Sequence, residues 1–201
     1  LEELAGRILE ECDYEAEARN QQDFARLFEG WPDVGVPAVH PERSTKRVLT
    51  TDFIEAADFQ TFCDTASPEA RDRAGATLYR ACFQSLFRYG MYNADPHPGN
   101  YLFEPDGRVW LLDFGCVKRF DVAFIEGWKR IARSVLEDDL PAFTDAWRDA
   151  GFVGRERGFD YQHQLDAMRL LYTPMRSREP FRFTAEFITE ANDAIALGNQ
   201  N

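Results

Sequence analysis

Apolar residues recur at helical spacing from the start of the chain. Leu4, Ile8, Cys12, Ala16, Phe24 and Leu27–Phe28 mark one face, which predicts a helix from residue 2 to residue 28. Gly30, Pro32, Gly35 and Pro37 then break that period. Val36–Val39 is a short apolar segment. Residues 47–54 read as a strand, because the β-branched Val48, Thr50, Thr51 and Ile54 suit a pleated surface. A second helix is predicted from Ser67-Pro68-Glu69, where serine can cap and proline fits the first helical position. Ala70, Ala74, Leu78, Cys82 and Leu86 form one ladder, and Tyr79, Phe83 and Phe87 an adjacent one. So wide an apolar face predicts a buried, central helix, which Gly90 ends.

Residues 91–100 hold two prolines and a glycine, which argues against a regular helix or a central strand there. Tyr101–Phe103 and Arg108–Leu112 flank Glu104-Pro105-Asp106-Gly107, so two short strands should fold back on a turn. Four further helices are predicted, over 121–136, 138–150, 159–178 and 183–197. The element order gives an α+β fold class, with a change of character near Asp58.

Composition narrows the function classes. Among 201 residues, 35 are acidic and 23 basic, for a net charge of −12, which argues against a nucleic-acid partner. Only Lys46, Lys118 and Lys129 are lysines. No apolar run approaches the roughly 18–20 residues of a membrane-spanning helix. The four cysteines contain no C-x-x-C pair and the three histidines are scattered, so neither a zinc site nor a disulfide framework is expected.

The candidate chemistry lies around the hairpin. Asp95 and Asn100 are five residues apart in a loop stiffened by Pro96 and Pro98, and Asp113 follows the second strand. A hairpin returns the chain to its origin, so Asp113 should come back beside Asn100. Two carboxylates and an amide oxygen then converge, a hard-oxygen set that suits magnesium on nucleotide phosphates. Asp95 can orient an attacking hydroxyl while Asn100 and Asp113 hold the metal. The order D-x-x-x-x-N, hairpin, D-F-G is that of the catalytic and metal-binding loops of protein kinases.

The stretch Asn93-Ala94-Asp95-Pro96-His97-Pro98-Gly99-Asn100, with Leu111-Leu112-Asp113-Phe114-Gly115, resembles the signature of the UbiB-like, or AarF-type, atypical kinases associated with ubiquinone biosynthesis. Residues 11–20 (ECDYEAEARN) resemble that family's E-x-D-Y-x-x-E-A-x-N helix, and residues 48–55 its hinge strand. Asn93 stands where the family usually has histidine, and Ala56 where it has glycine.

The resemblance implies a protein-kinase-like fold with a mostly helical C-terminal lobe and an incomplete N-terminal lobe. Residues 1–57 would be a partial N-lobe with a helix, two strands and a hinge. Residues 58–201 would be the C-lobe with the catalytic loop. It implies Asp95 as catalytic aspartate, Asn100 and Asp113 as magnesium ligands, and Glu17 as the helix glutamate that pairs with a nucleotide-binding lysine. Glu11 and Asp13 would be an acidic pair facing the active site, and Thr51, Asp52 and Phe53 would line the adenine pocket. His97 is expected to support its loop. ATP and magnesium are the implied cofactors, with a lipid or quinone precursor as further ligand.

None of the sixteen residues before Glu17 is lysine, so the phosphate-covering loop, a K-x-G-Q segment and the strand lysine are expected upstream of this chain. The implied location is cytoplasmic, with peripheral contact at the inner face of a membrane through other segments. Two other classes fit parts of the pattern: a small-molecule phosphotransferase of the aminoglycoside-kinase type, with a similar Asp…Asn…Asp order, and an inactive kinase-like binding module.

Overall fold

The computed structural model describes residues 13–153 and 158–198, with side chains described up to residue 194. Helices and short strands form two compact units, residues 1–120 and 121–201.

In the first unit, α1 (Tyr14–Leu27) starts where Asp13 caps it, the Asp13 carboxylate accepting from the Ala16 N–H at 3.0 Å. Of the helix predicted over residues 2–28, residues 2–12 lie outside the described residues, and the described part starts at residue 14, where Asp13 has non-helical dihedrals. Next come β1 (Val34–Gly35), a 3-10 turn at Pro41–Arg43, α2 (Phe59–Thr65) and α3 (Pro68–Tyr89). They are followed by β2 (Met91–Asn93), a 3-10 turn at Pro98–Asn100, β3 (Tyr101–Phe103), β4 (Val109–Leu111) and β5 (Val117–Arg119).

The ends of α3 follow the expected chemistry. Ser67 accepts from the Ala70 N–H, Pro68 occupies the first turn, and Gly90 closes the helix at φ 66°. Its fully buried face is narrower than expected. Ala70, Ala74, Thr77, Ala81 and Ser85 are buried, while Leu78, Cys82, Tyr79 and Phe83 are only half-buried. Small residues on this face let other backbone come close. At Gly107 (φ 91°) an added Cβ would meet the Ala70 carbonyl at 2.4 Å, so the hairpin turn seats directly on the helix.

The hairpin pairs antiparallel, Tyr101 with Leu111 and Phe103 with Val109. β1 adds to β4 in parallel, giving the order β1-β4-β3. Arg73 of α3 bonds Asp33, just before β1, at 3.0 Å and Asp106 of the hairpin turn at 2.9 Å. It thereby ties the helix to both. A second ladder was not expected: Met91–Asn93 is a strand, antiparallel to Val117–Arg119. The prolines lie just beyond it, so they end the ladder without preventing it.

Residues 47–54 do not form the predicted strand. Among the described residues they make only the isolated bridges Val39↔Thr51 and Thr45↔Val48. Strand propensity becomes a strand only when a neighbour supplies a run of hydrogen bonds. Here the 38–40 segment supplies two, His40 N–H to Thr50 C=O and Asp52 N–H to Ala38 C=O. The short helix α2, capped by Asp58, was not predicted either. It brings Phe62 against Phe103, with ring centroids 4.7 Å apart.

The second unit is helical: α4 (Val122–Glu137), α5 (Leu140–Asp149), α6 (Tyr161–Leu171), α7 (Thr173–Arg176) and α8 (Ala185–Gly198). Asp121, Asp139 and Asp160 each cap a helix by accepting a backbone N–H three residues on. Ile131, Val135, Phe143, Trp147 and Leu165 lie at the centre of its core. No described helix is long and apolar enough to cross a membrane.

Candidate active site

The hairpin register builds the site. Leu112 donates its N–H to the Asn100 carbonyl at 3.0 Å, which places Asp113 beside Asn100. Asn100 turns its amide nitrogen to the Asp95 carboxylate at 2.8 Å and the Asp95 carbonyl at 3.2 Å. Its amide oxygen accepts no hydrogen bond from a described residue. Asp113 accepts the Gly115 N–H on one carboxylate oxygen at 2.8 Å, and the other oxygen has no described donor. Asp95, Asn100 and Asp113 are all half-buried. The two aspartates and the asparagine expected to converge are therefore brought together.

Asn93, from the end of β2, couples the two aspartate segments. Its amide nitrogen donates to the Asp113 carbonyl at 2.7 Å, and its oxygen accepts the Asp95 N–H at 3.3 Å. His97 accepts the Gly99 N–H at 3.0 Å, the loop-supporting role expected of it.

The helix α1 grips the Asp-Phe-Gly segment at three points. Glu17 lies close enough to Asp113 to feel its charge. Burial first, and then that charge, push the Glu17 carboxyl above its ordinary value, and a hydrogen bond from the Phe114 N–H only partly offsets them. Asn20 donates to the Phe114 carbonyl at 3.0 Å. Phe24 packs on the Phe114 ring with centroids 5.2 Å apart, and both rings are buried. Residues 17, 20 and 24 share one face of α1 because they sit three and four apart. Gln21, on the same side, donates to the Pro37 carbonyl at 2.6 Å.

The other expected residues are placed as follows. Asp13 caps α1 and is exposed. Glu11 lies outside the described residues. Asp52 is exposed and bonds His40 at 2.7 Å, and Phe53 is 91% exposed. Thr50 and Asp52 turn their main-chain groups to the 38–40 segment, so Thr51 between them turns its N–H and C=O to the opposite side. Asn20 and Arg119 were not singled out from sequence. Asn20 belongs to the matched helix motif, but nothing in the spacing points to Arg119.

Comparison with known proteins places this arrangement. Residues 1–145 match the model of the ABC1 atypical kinase-like domain. The chain belongs to this family. It is 28% identical over 190 residues to the atypical kinase coq-8 of Caenorhabditis elegans mitochondria, covering 90% of this chain and 25% of that protein. It is 26% identical over 193 residues to the mitochondrial atypical kinase COQ8B of Danio rerio, covering 94% of this chain and 31% of that protein. Among solved structures, the Mycobacterium tuberculosis protein Rv3197 in complex with erythromycin superposes with a TM-score of 0.78 at 28% identity, covering 94% of this chain and 48% of that one. The chain thus spans about a quarter to a half of the length of these relatives. The fold is kinase-like, as the motif order implied, and the domain is of the UbiB/AarF atypical kinase type.

Proposed function

We propose that this chain carries the catalytic and metal-binding floor of an ATP- and magnesium-dependent atypical kinase or ATPase that supports ubiquinone or other isoprenoid-lipid metabolism. The observation that supports it best is the meeting of Asp95, Asn100 and Asp113 at the hairpin, with Glu17 facing Asp113. Among the described residues no three His, Cys, Asp or Glu side chains form a metal cluster by themselves. A cation here would be held by Asp113 and the open amide oxygen of Asn100, with nucleotide phosphates completing its shell. Burial first, and the nearby Asp113 second, push the Glu17 carboxyl up, and two carboxylates close enough to interact in one half-buried space fit a divalent cation.

In this reading Asp95 orients the attacking hydroxyl or water and takes its proton. The hydrogen bond from Asn100 holds the carboxylate in place for that task. Magnesium, when bound, neutralises charge on the transferred phosphoryl group. Glu17 pairs with a nucleotide-binding lysine supplied from upstream, with Glu11 and Asp13 as an acidic pair nearby. Thr51, Asp52 and Phe53 line the adenine pocket, where the outward main-chain groups of Thr51 are suited to adenine hydrogen bonds. Residues 1–57 contribute to the N-lobe and 58–201 form the C-lobe. The site works on the cytoplasmic side, and membrane contact is peripheral through segments outside this chain.

The test is ATP turnover by the full-length protein with magnesium, using quinone-precursor or lipid mimics in one arm and aminoglycosides in another. Asp95→Asn should lower kcat by about 10²–10⁴-fold, the usual worth of a positioned proton acceptor. Stimulation by lipid or quinone mimics supports the proposal. Phosphorylation of an aminoglycoside would replace it with the antibiotic-kinase reading. Turnover unchanged in Asp95→Asn would remove Asp95 from the chemistry.

A further inference from the structure

Arg119, at the end of β5, reaches across to α1. Its guanidinium donates to the Asn20 side-chain oxygen at 3.1 Å and pairs with the Asp23 carboxylate. Burial works against the charge of Asp23, but hydrogen bonds from Arg119 and Arg26 outweigh it and hold the carboxyl below its ordinary value. Asn20 has one oxygen and one NH₂ group. With the oxygen taken by Arg119, its nitrogen must face the Phe114 carbonyl, and it does so at 3.0 Å. An amide free of such a partner could turn over and present an oxygen to that carbonyl, an acceptor against an acceptor.

The same logic appears on the other side of the segment. Asn93 has its oxygen occupied by the Asp95 N–H, and its nitrogen donates to the Asp113 carbonyl. Two asparagines thus clip the successive carbonyls of Asp113 and Phe114, each oriented by a separate donor. β5 links them, because Arg119 pairs with Met91 and Val117 with Asn93 in the β2–β5 ladder.

We propose that Arg119 is a positioning residue. By fixing the Asn20 amide it docks α1, and with it Glu17, onto the Asp-Phe-Gly segment, and so sets where the Asp113 carboxylate stands. Arg119 touches neither Asp113 nor Glu17 and acts through Asn20, while its pairing with Asp23 holds the guanidinium in place. The catalytic consequence rests on the function proposed above, whereas the latch itself does not.

The test uses the full-length protein with Arg119→Met, Asn20→Asp and the double variant. Asn20→Asp keeps the acceptor for Arg119 and loses the donor to Phe114. Backbone hydrogen exchange of residues 113–115, measured without nucleotide, reads the latch directly. Each single variant should exchange faster there, with the global melting temperature nearly unchanged.

In turnover assays each should raise the half-saturating magnesium concentration and lower kcat by about tenfold or more, since small misplacements at a reacting centre are costly. The double variant should be no worse than the worse single one, because the two residues act in series. Unchanged exchange at 113–115 overturns the latch. Faster exchange with unchanged magnesium response and kcat overturns the positioning role. Multiplying effects in the double variant overturn the claim that Arg119 acts through Asn20. If the wild type neither binds nor turns over ATP, the functional reading fails and the positioning role falls with it, while exchange still decides the latch.

Discussion

Acidic side chains serve opposite ends at the helix starts of the helical unit and at the hairpin of the first unit, although Asp13 and Asp58 of the first unit cap helices as well. In the helical unit Asp121, Asp139 and Asp160 stand at helix starts and accept a backbone N–H three residues on. Their charge meets the positive end of a helix, so it stabilises locally. In the first unit Asp95, Asp113 and Glu17 are half-buried, and the charge of Asp113 raises the cost of ionising Glu17. What holds them is a set of hydrogen bonds between elements distant in sequence: Asn20 to Phe114, Asn93 to Asp113, Arg119 to Asn20. Carboxylates kept together where they repel one another are a poor choice for stability and a good one for binding a cation. The contrast teaches that acidity in this chain has two physical roles, distinguishable by what each carboxylate faces.

The comparison can be broken at several points. The largest effect should come from the helical core. Phe143 is fully buried, and Phe143→Ala should cost about 3–5 kcal/mol of stability, read by denaturant titration. Magnesium–ATP affinity of the molecules that remain folded should not change. Next, Asp139→Ala should cost about 1 kcal/mol, the usual worth of a side-chain cap. If it stabilised the protein, the capping account of that unit would be wrong.

The smallest effect has the opposite sign. Glu17 is harder to ionise in the folded chain than in the unfolded one, so the folded state holds its proton more tightly. Stability from this group is complete below pH 4.5, its ordinary value, and is lost as pH rises through the raised value. In the 201-residue chain without the upstream lysine, Glu17→Gln should therefore melt slightly higher than wild type at pH 7 in the absence of nucleotide, and the difference should vanish in acid. A lower melting temperature at pH 7 would show that Glu17 already has a stabilising partner.

Much of the site was legible because its determinants are local. Ser67-Pro68 starts α3, Gly90 stops it, and Pro105-Asp106-Gly107 folds the hairpin that returns Asp113 to Asn100. Each acts within a few residues, where dihedral preference and a single hydrogen bond decide the outcome. The rest depends on partners far along the chain. The ladder of Met91–Asn93 with Val117–Arg119 consists of three-residue strands with no alternation to detect. Residues 47–54 have strand propensity, yet find only scattered bridges. Arg119 meets Asn20 across 99 positions, and no spacing rule reaches that far. The helix at residues 59–65 is only two turns long, too short for its period to stand out.

The central claim is that Asp113 and Asn100 hold a cation that carries nucleotide. Thermal melting of the full-length protein with ATP, with and without magnesium, tests it most directly. At a hundredfold excess over Kd, binding to the native state alone adds about 2.7 kcal/mol, a rise of several degrees. The account predicts that rise for the wild type only when magnesium and ATP are both present, and none for Asp113→Asn. An equal rise in wild type and Asp113→Asn would contradict it.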